Sequence, residues 1–208
     1  MQSDTFFLAK MFPKGATLWR EEPDMFPDIE SLKAQLHAAS EEASTLKAQL
    51  TEEQAAWRPA PGSWSVSECI DHLASTNRAY LAELQTAARL ARARNRLRRG
   101  PATPGWFGSW FVQQLEPPVK RGRKMPAPGK VRPRELPLAE AYAGFASEQE
   151  LVREFLEANA DLDLAGIRFV NPFVPGLRFS LASGLHIILA HERRHLWQAR
   201  QVLRVAGA

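Results

Sequence analysis

The sequence predicts an all-α protein, a four-helix bundle of up-down-down-up topology with a long crossover between helices two and three. Four stretches repeat apolar residues at alternating spacings of three and four, the period of one helix face, and few strand-like alternating runs compete with them. The 208 residues, of which 45% are hydrophobic and 24% charged, suit one globular domain. We therefore expect a single domain over residues 27–205, with an N-terminal extension over 1–26 and the crossover at about 95–136.

The first two predicted helices have clear starting points. Pro27 and Asp28 suit the first turn of helix one, whose apolar residues then follow one face. These residues are Ile29, Leu32, Leu36, Ala39, Ala43, Leu46 and Leu50. Helix two opens with a capping box, in which the Ser65 hydroxyl accepts from the Glu68 amide while the Glu68 side chain reaches back, and it runs to about Arg94.

Helices three and four also begin at recognisable residues. Pro137 suits the start of helix three, which fades near Asn159. Its apolar face consists of Leu138, Ala141, Tyr142, Phe145, Val152, Phe155 and Leu156. Helix four begins after Ser180, a good N-cap residue, and runs to the C-terminus, so that its inward face holds His191 and His195.

The lengths of the connections predict how the helices are arranged. About a dozen residues separate helices one and two, which favours antiparallel neighbours. The link between helices two and three has roughly forty residues and is rich in Pro, Gly and Arg, so it can travel the length of the bundle and start helix three parallel to helix two. Helix four then returns antiparallel, which brings the early part of helix two beside the later part of helix four.

Composition excludes several classes of protein and site. No apolar run approaches the roughly 20 residues that a membrane-spanning helix needs. The N-terminus lacks the basic start, apolar block and small-residue cleavage site of a secretory signal, so we expect a cytoplasmic protein. Cys69 is the single cysteine, which excludes an internal disulfide and a thiolate metal cluster. Any metal must therefore be held by nitrogen and oxygen ligands.

Positive charge is concentrated in residues 89–134, where thirteen Lys or Arg residues accompany one acid, Glu116. The rest of the chain carries a net charge of −8, against +4 for the whole. The segment is either a solvated connection, as charge runs usually are, or an anion-binding arm. Such an arm would present Arg89, Arg92, Arg94, Arg96, Arg98 and Arg99. We favour the solvated connection and do not expect nucleic acid as a partner.

Four aromatic residues lie in the same basic segment, namely Trp106, Phe107, Trp110 and Phe111. Aromatic side chains mainly bury apolar area, so we expect these four to pack over the bundle. The alternative is an anchor at a membrane surface, since aromatic residues beside arginines are typical of interfacial helices.

Three histidines are predicted to meet inside the bundle. Residues four apart on a helix lie on one face, so His191 and His195 can direct imidazole nitrogens at one ion. His72, seven positions after the cap of helix two, can supply a third nitrogen from across the bundle. Three neutral imidazoles leave a coordination position for water or substrate, as in catalytic zinc sites. The alternative is a hydrogen-bonded structural side chain, a role that we assign to His37 and His186.

The segment His191-Glu192-Arg193-Arg194-His195 also matches the HExxH pattern of metalloproteases, in which the glutamate activates water. However, no His, Asp or Glu follows His195, where such enzymes generally have their third ligand, and no upstream sheet is evident. We therefore do not expect a peptidase. Glu192 is still a candidate base beside the metal, although we expect an exposed helix charge because it begins the polar flank that continues through Arg193.

Two motifs together resemble the DinB-like superfamily of metal-binding four-helix bundles. WRPAPGSWSV at 57–66, followed by Asp71-His72-Leu73, is similar to the family's entry to helix two, whose histidine binds metal. LAHERRHLWQ at 189–198 is similar to its helix-four signature, whose two histidines complete the triad. The proline-rich stretches 115–118 and 126–128 are similar to the crossover of some members. The resemblance implies His72, His191 and His195 as metal ligands.

The resemblance also carries functional expectations. Characterised relatives include thiol-dependent transferases and isomerases that use bacillithiol, mycothiol or glutathione. A divalent ion with an open position lowers the pKa of bound water to about 7 and can hold a thiol as thiolate. We therefore expect zinc or nickel, with iron or manganese as alternatives, in a metal-dependent thiol S-transferase or related hydrolase. Its partners would be a small-molecule substrate, such as a low-molecular-weight thiol, and a second copy in a homodimer.

Two other functions stay open at this point. One is a non-catalytic bundle whose metal only stabilises the fold. The other is a binding module that uses the arginines of the crossover on an anionic ligand or nucleic acid.

Overall fold

The computed structural model describes residues 26–119 and 127–206. The described chain forms six helices, α1 (Pro27–Gln49), α2 (Glu52–Ala56), α3 (Val66–Ala93), α4 (Gly105–Leu115), α5 (Leu138–Ala158) and α6 (Leu181–Ala206). It also forms two short strands, β1 (Arg168–Val170) and β2 (Arg178–Ser180), and one 3-10 turn, Gly129–Val131. The predicted N-terminal extension lies outside the described residues, except for Phe26.

The four long helices form the predicted bundle. Both α1 and α3 pack against α5 and α6, so α1 and α3 face each other across a diagonal. The expectation that these two helices are direct neighbours is therefore wrong. The reason is their connection, which contains the additional helix α2 and carries the chain across the bundle, while α2 itself packs on α3 and α5.

Contacts along the helices give their relative directions. Arg78 of α3 reaches Glu148 of α5, and further along Arg92 reaches the carbonyl of Ala158, so α3 and α5 run parallel. His72 of α3 lies beside His191 of α6, whereas Leu84 lies beside Gly184. Helix α6 therefore runs antiparallel to α3, and the early part of α3 lies beside the later part of α6.

The helix starts follow local hydrogen bonding. Ser65 accepts from the Glu68 amide and the Glu68 carboxylate accepts from the Ser65 amide, which confirms the predicted capping box. Ser180 Oγ accepts from the Ser183 amide at the start of α6, as predicted. At the start of α5 the carboxylate of Glu52 accepts from the backbone amide of Leu138, so a distant residue supplies this cap.

The connections contain structure that the sequence did not predict. The crossover includes α4, which packs on α6. Between α5 and α6, β1 and β2 form an antiparallel pair in which Phe169 lies opposite Phe179. Each strand has three residues, which is too short for an alternating pattern to stand out. No helix within 26–119 and 127–206 is long and apolar enough to cross a bilayer.

Two apolar clusters make up the core. One joins the early part of α3 to the late part of α6, through residues such as Leu73 and Leu196. The other joins the late part of α3 to the early part of α6, through residues such as Leu84 and Leu185. Between the two clusters lies a polar layer of buried side chains, namely Thr76, Asn77, Glu148, Gln149 and Glu192.

Candidate metal centre

The three predicted histidines come together at the polar layer. His72 projects from α3, and His191 and His195 project from α6. One ring nitrogen of each lies within 4.8 Å of one from each of the others. His72 Nε2 is 3.3 Å from His191 Nε2, and the ring centroids of His191 and His195 are 4.4 Å apart. Antiparallel packing of α3 on α6 thus produces the triad that the sequence predicted.

These distances fit a shared metal ion. Two imidazole nitrogens on one tetrahedral zinc, each about 2.0–2.1 Å from it, stand roughly 3.3–3.4 Å apart. The nitrogens of His72 and His191 have this separation, 3.3 Å. Nδ1 of His191 and of His195 is buried and has no hydrogen-bond partner among the described residues. An ion would compensate Nδ1 of His195 if that nitrogen were the ligand, whereas His191 approaches His72 through Nε2, so its Nδ1 would not contact the same ion.

One hydrogen bond orients the His72 ring. Its Nδ1 lies 2.6 Å from the backbone carbonyl of Val131, which can only accept, so Nδ1 carries the proton. Nε2 then keeps its lone pair and faces the other two imidazoles. A carbonyl that fixes the tautomer of a ligand histidine in this way is a usual companion of protein metal sites.

Burial keeps the three imidazoles neutral. It lowers the pKa of His72, against the opposing effects of the Val131 carbonyl and the Asp71 charge. The pKa of His191 lies well below the usual value, because of burial and then of the two neighbouring imidazoles and Arg194. Burial, His72 and Arg194 likewise lower the pKa of His195. At neutral pH all three rings therefore offer lone pairs, which metal binding requires.

Glu192 is fully buried, so the expectation of an exposed helix charge is wrong. Its carboxylate accepts from Asn77 Nδ2 at 2.7 Å and from Gln149 Nε2 at 3.3 Å. Burial raises the pKa of Glu192 to about 7, although both amide hydrogen bonds lower it. The error arose because Glu192 points into the bundle, where Asn77 of α3 and Gln149 of α5 reach its carboxylate. The polarity of the neighbouring residues in the sequence does not reveal this.

Sequence reasoning missed Asn77 and Gln149. Gln149 stands four residues after Phe145 and three before Val152, both on the apolar face of helix three. A polar residue at such a position was the available signal. Trp64 was also missed as a neighbour of the site, and its ring centroid lies 4.7 Å from that of His72. The indole of Trp64 therefore covers one side of the imidazole cluster.

The other two histidines lie elsewhere, as predicted. His186 is half-buried, and its Nε2 lies 3.3 Å from the carbonyl of Ala102. His37 is exposed on α1. Neither belongs to the group of three histidines that can share an ion.

Arginines of the basic segment pair with carboxylates of the bundle. Arg92 donates to Asp161, Arg96 to Asp163 and Arg98 to Asp28. Arg134, at the far end of the segment, pairs with the buried carboxylate of Asp71. At these four arginines the described part of the segment is therefore bound to acidic residues elsewhere in the chain, instead of being only a solvated connection. These pairs also occupy arginines that an anion-binding arm would need.

The aromatic residues of α4 divide into two groups. Phe107 stacks on Phe179 with ring centroids 5.4 Å apart, and Phe111 contacts the same ring at 5.0 Å. Packing over the bundle is thus confirmed for Phe111, whereas Phe107 packs with one ring face and is still 39% exposed. The same expectation is wrong for Trp106 and Trp110, which are 85% and 50% exposed, because they lie on the outer side of α4.

Comparisons with known proteins agree with this structure. Residues 35–199 match the model of the DinB superfamily. The structure is similar to that of YfiT from Bacillus subtilis, described as "a probable metal-dependent hydrolase with an unusual four-helix bundle topology". The TM-score is 0.54 at 14% sequence identity, with 86% of this chain and 87% of YfiT covered, so the likeness concerns the fold. No curated protein gives a significant match. Because the family model spans most of its length, this chain belongs to the DinB superfamily.

Proposed function

We propose that the protein is a metal-dependent enzyme that binds one divalent ion through His72, His191 and His195. The single observation that carries the proposal is the approach of three imidazoles from two helices to within 4.8 Å, with His72 and His195 buried and His191 half-buried. Such an arrangement is costly unless something compensates the buried nitrogens. Zinc and nickel suit a nitrogen-only ligand set best, with iron and manganese as alternatives.

The residues around the triad suit a catalytic site. When bound, the ion would act as a Lewis acid at its free position, where it promotes ionisation of water or a thiol. Val131 holds the tautomer of His72, and Trp64 shields one side of the rings from water. Glu192, held by Asn77 and Gln149, supplies a buried carboxyl group directly beside His191 in the chain.

The reaction we propose is hydrolysis or thiol S-transfer on a small molecule. Similarity to YfiT, which is described as a probable metal-dependent hydrolase, supports the first reaction. Resemblance to thiol-dependent members of the superfamily supports the second. Both reactions need a nucleophile that is ionised near neutral pH. A divalent ion with an open position would lower the pKa of a bound water or thiol enough to provide one.

Metal content tests the site directly. The untagged protein should carry about one divalent ion per chain, measured by mass spectrometry for zinc, nickel, iron and manganese. His72→Ala and His191→Ala should each lose most of this metal, because two imidazoles bind far more weakly than three. His37→Ala, at an exposed histidine away from the triad, is the matched control and should keep it. Unchanged occupancy in both triad variants would reject the site.

A metal that only stabilises the fold is the second candidate function, favoured by the deep burial of His72 and His195. The two functions differ in their response to substrates. For an enzyme, screens of hydrolysable esters and amides and of thiols with electrophiles should reveal turnover that chelation removes. The same turnover should be absent from His72→Ala and present in His37→Ala. A metal-loaded protein that melts at higher temperature but turns over no compound would support the structural role.

A further inference from the structure

We propose that Arg134 is a positioning residue of the metal centre. Its ion pair with Asp71 holds the end of the crossover in the place where the Val131 carbonyl orients the His72 imidazole. The inference rests on the proposed metal site and assigns part of it to a segment that carries no ligand. Neither Arg134 nor Asp71 belongs to the histidine triad itself.

The contact between the crossover and His72 is short and buried. His72 Nδ1 donates to the Val131 carbonyl at 2.6 Å, and both residues are buried. Val131 is the last residue of the 3-10 turn that begins at Gly129. The carbonyl is backbone, so its position depends on how the chain around residue 131 is held. Any shift of this chain would move the acceptor away from the ring.

Arg134 holds that chain with its backbone and its side chain together. The Arg134 amide donates to Asp71 Oδ2 at 2.7 Å, and its Nη2 donates to Asp71 Oδ1 at 2.7 Å. Asp71 is only 2% exposed, whereas most of the Arg134 side chain is exposed. A buried carboxylate needs such partners, so Asp71 strongly favours this position of the crossover.

The two contacts act on neighbouring residues at both ends. Asp71 directly precedes His72 on α3, and Arg134 lies three residues after Val131. The crossover is thus fixed to α3 at two adjacent points, one of which orients the ring. A further ion pair, between Arg58 and Glu135, holds the next residue of the crossover but touches neither Asp71 nor His72. Loss of the Arg134 side chain removes the Nη2 bond to Asp71 but leaves the amide bond at residue 134 and the Arg58–Glu135 pair in place. It should therefore loosen the Val131 carbonyl without unfolding the bundle.

Groups that hydrogen-bond to a metal-ligating histidine, as the Val131 carbonyl does to His72, typically contribute 10- to 100-fold to metal affinity. We expect Arg134→Ala to bind Zn²⁺ about tenfold more weakly than the parent, measured by competition with a chromophoric chelator. Arg134→Lys should recover part of the affinity, since it restores the charge but not the two-point contact. Arg132→Ala removes the same charge from an exposed residue of the same segment and should leave the affinity unchanged.

The His72 ring gives a second measurement that needs no metal. Nitrogen NMR of the metal-free parent should show His72 with its proton on Nδ1, and Arg134→Ala should show a mixture of the two tautomers. Equal tautomer populations in parent and Arg134→Ala would overturn the inference, as would equal Zn²⁺ affinities or an equal loss in Arg132→Ala. If the parent itself fails to bind Zn²⁺, the proposed function is rejected, and the tautomer measurement still decides whether Arg134 positions the ring.

Discussion

Buried polar side chains occupy a layer of this bundle where apolar residues would normally pack. This layer includes Asn77, Gln149 and Glu192, and the buried imidazoles of His72 and His195 lie next to it. Burying such groups costs free energy unless each finds a partner, and replacement by apolar residues is often neutral or stabilising. A layer of this composition, contributed by three helices, is therefore better explained by binding and chemistry than by stability.

Glu192 should make the stability of the metal-free protein depend on pH. Burial raises its pKa in the folded state to about 7, from an ordinary value of 4.5. The folded state thus holds this proton more tightly than the unfolded state. Its favourable contribution is complete below about pH 4.5 and is lost as the pH rises through about 7. The parent should therefore lose stability relative to Glu192→Gln over this range, measured by urea unfolding of both proteins.

The difference in stability between the parent and Glu192→Gln reports on Glu192 alone, because the neighbouring histidines are present in both proteins and their titration cancels. Glu154→Gln, at an exposed position of α5, is the control and should follow the parent at every pH. Parallel stability curves for the parent and Glu192→Gln would mean that the Glu192 carboxyl titrates normally in the folded protein.

At the scale of elements, helices were predicted well where their signals are local. The capping box of α3, the N-cap of α6 and Pro137 before α5 mark starts that the structure confirms to within a residue. Helix α4 and the β1–β2 pair were missed. Their residues are held by contacts with each other and with α6. Phe107 of α4 stacks on Phe179 of β2, and Ser183 Oγ of α6 donates to the Pro104 carbonyl. Such contacts join distant parts of the chain and leave no periodic pattern.

Close packing of α6 on α3 predicts a strong effect at Gly184. A Cβ at this position would lie 2.7 Å from Leu84 Cδ2 and 2.8 Å from Phe169 Cε1, both in buried side chains. Gly184→Ala should therefore destabilise the protein by about 1–3 kcal/mol, the usual result of overpacking a core. The free energy of unfolding in urea measures the change.

Gly144 on α5 is the matched control. A Cβ there would meet only Ala74 Cβ at an ordinary 3.8 Å. Gly144→Ala should stabilise the protein by about 0.4–1 kcal/mol, because alanine reduces the freedom of the unfolded chain. Equal effects of the two substitutions would contradict the close approach of α3 and α6 at Gly184.

At the scale of the whole molecule, the proposed metal joins α3 to α6 in the middle of the bundle. An ion that binds only the folded state at 100 times its dissociation constant adds about 2.7 kcal/mol to the free energy of unfolding. For a chain of this size that corresponds to roughly 5–10 °C in melting temperature. Chelation should remove the increase from the parent, measured by thermal unfolding. His195→Ala should melt at the same temperature with and without metal, and an undiminished shift in this variant would exclude His195 as a ligand.

The distribution of charge along the chain is also a property of the whole molecule. The basic segment is strongly positive and the remainder of the chain negative. The structure brings them together, since Arg92, Arg96 and Arg98 each donate to an aspartate from another part of the chain. These ion pairs therefore attach the end of α3 and the start of the crossover to the segment after α5 and to the start of α1.

The sequence by itself determined the helical class, the starts of the long helices and the three histidines. These follow from the helical period, from caps within one turn and from a four-residue spacing, all of which act over short distances along the chain. Only the tertiary structure decided that α1 and α3 are diagonal, that Glu192 is buried, that Trp106 is exposed and that Arg134 reaches Asp71. The physical reason is that burial and ion pairing depend on which distant element covers each helix face. The sequence of one helix does not specify which element packs against it.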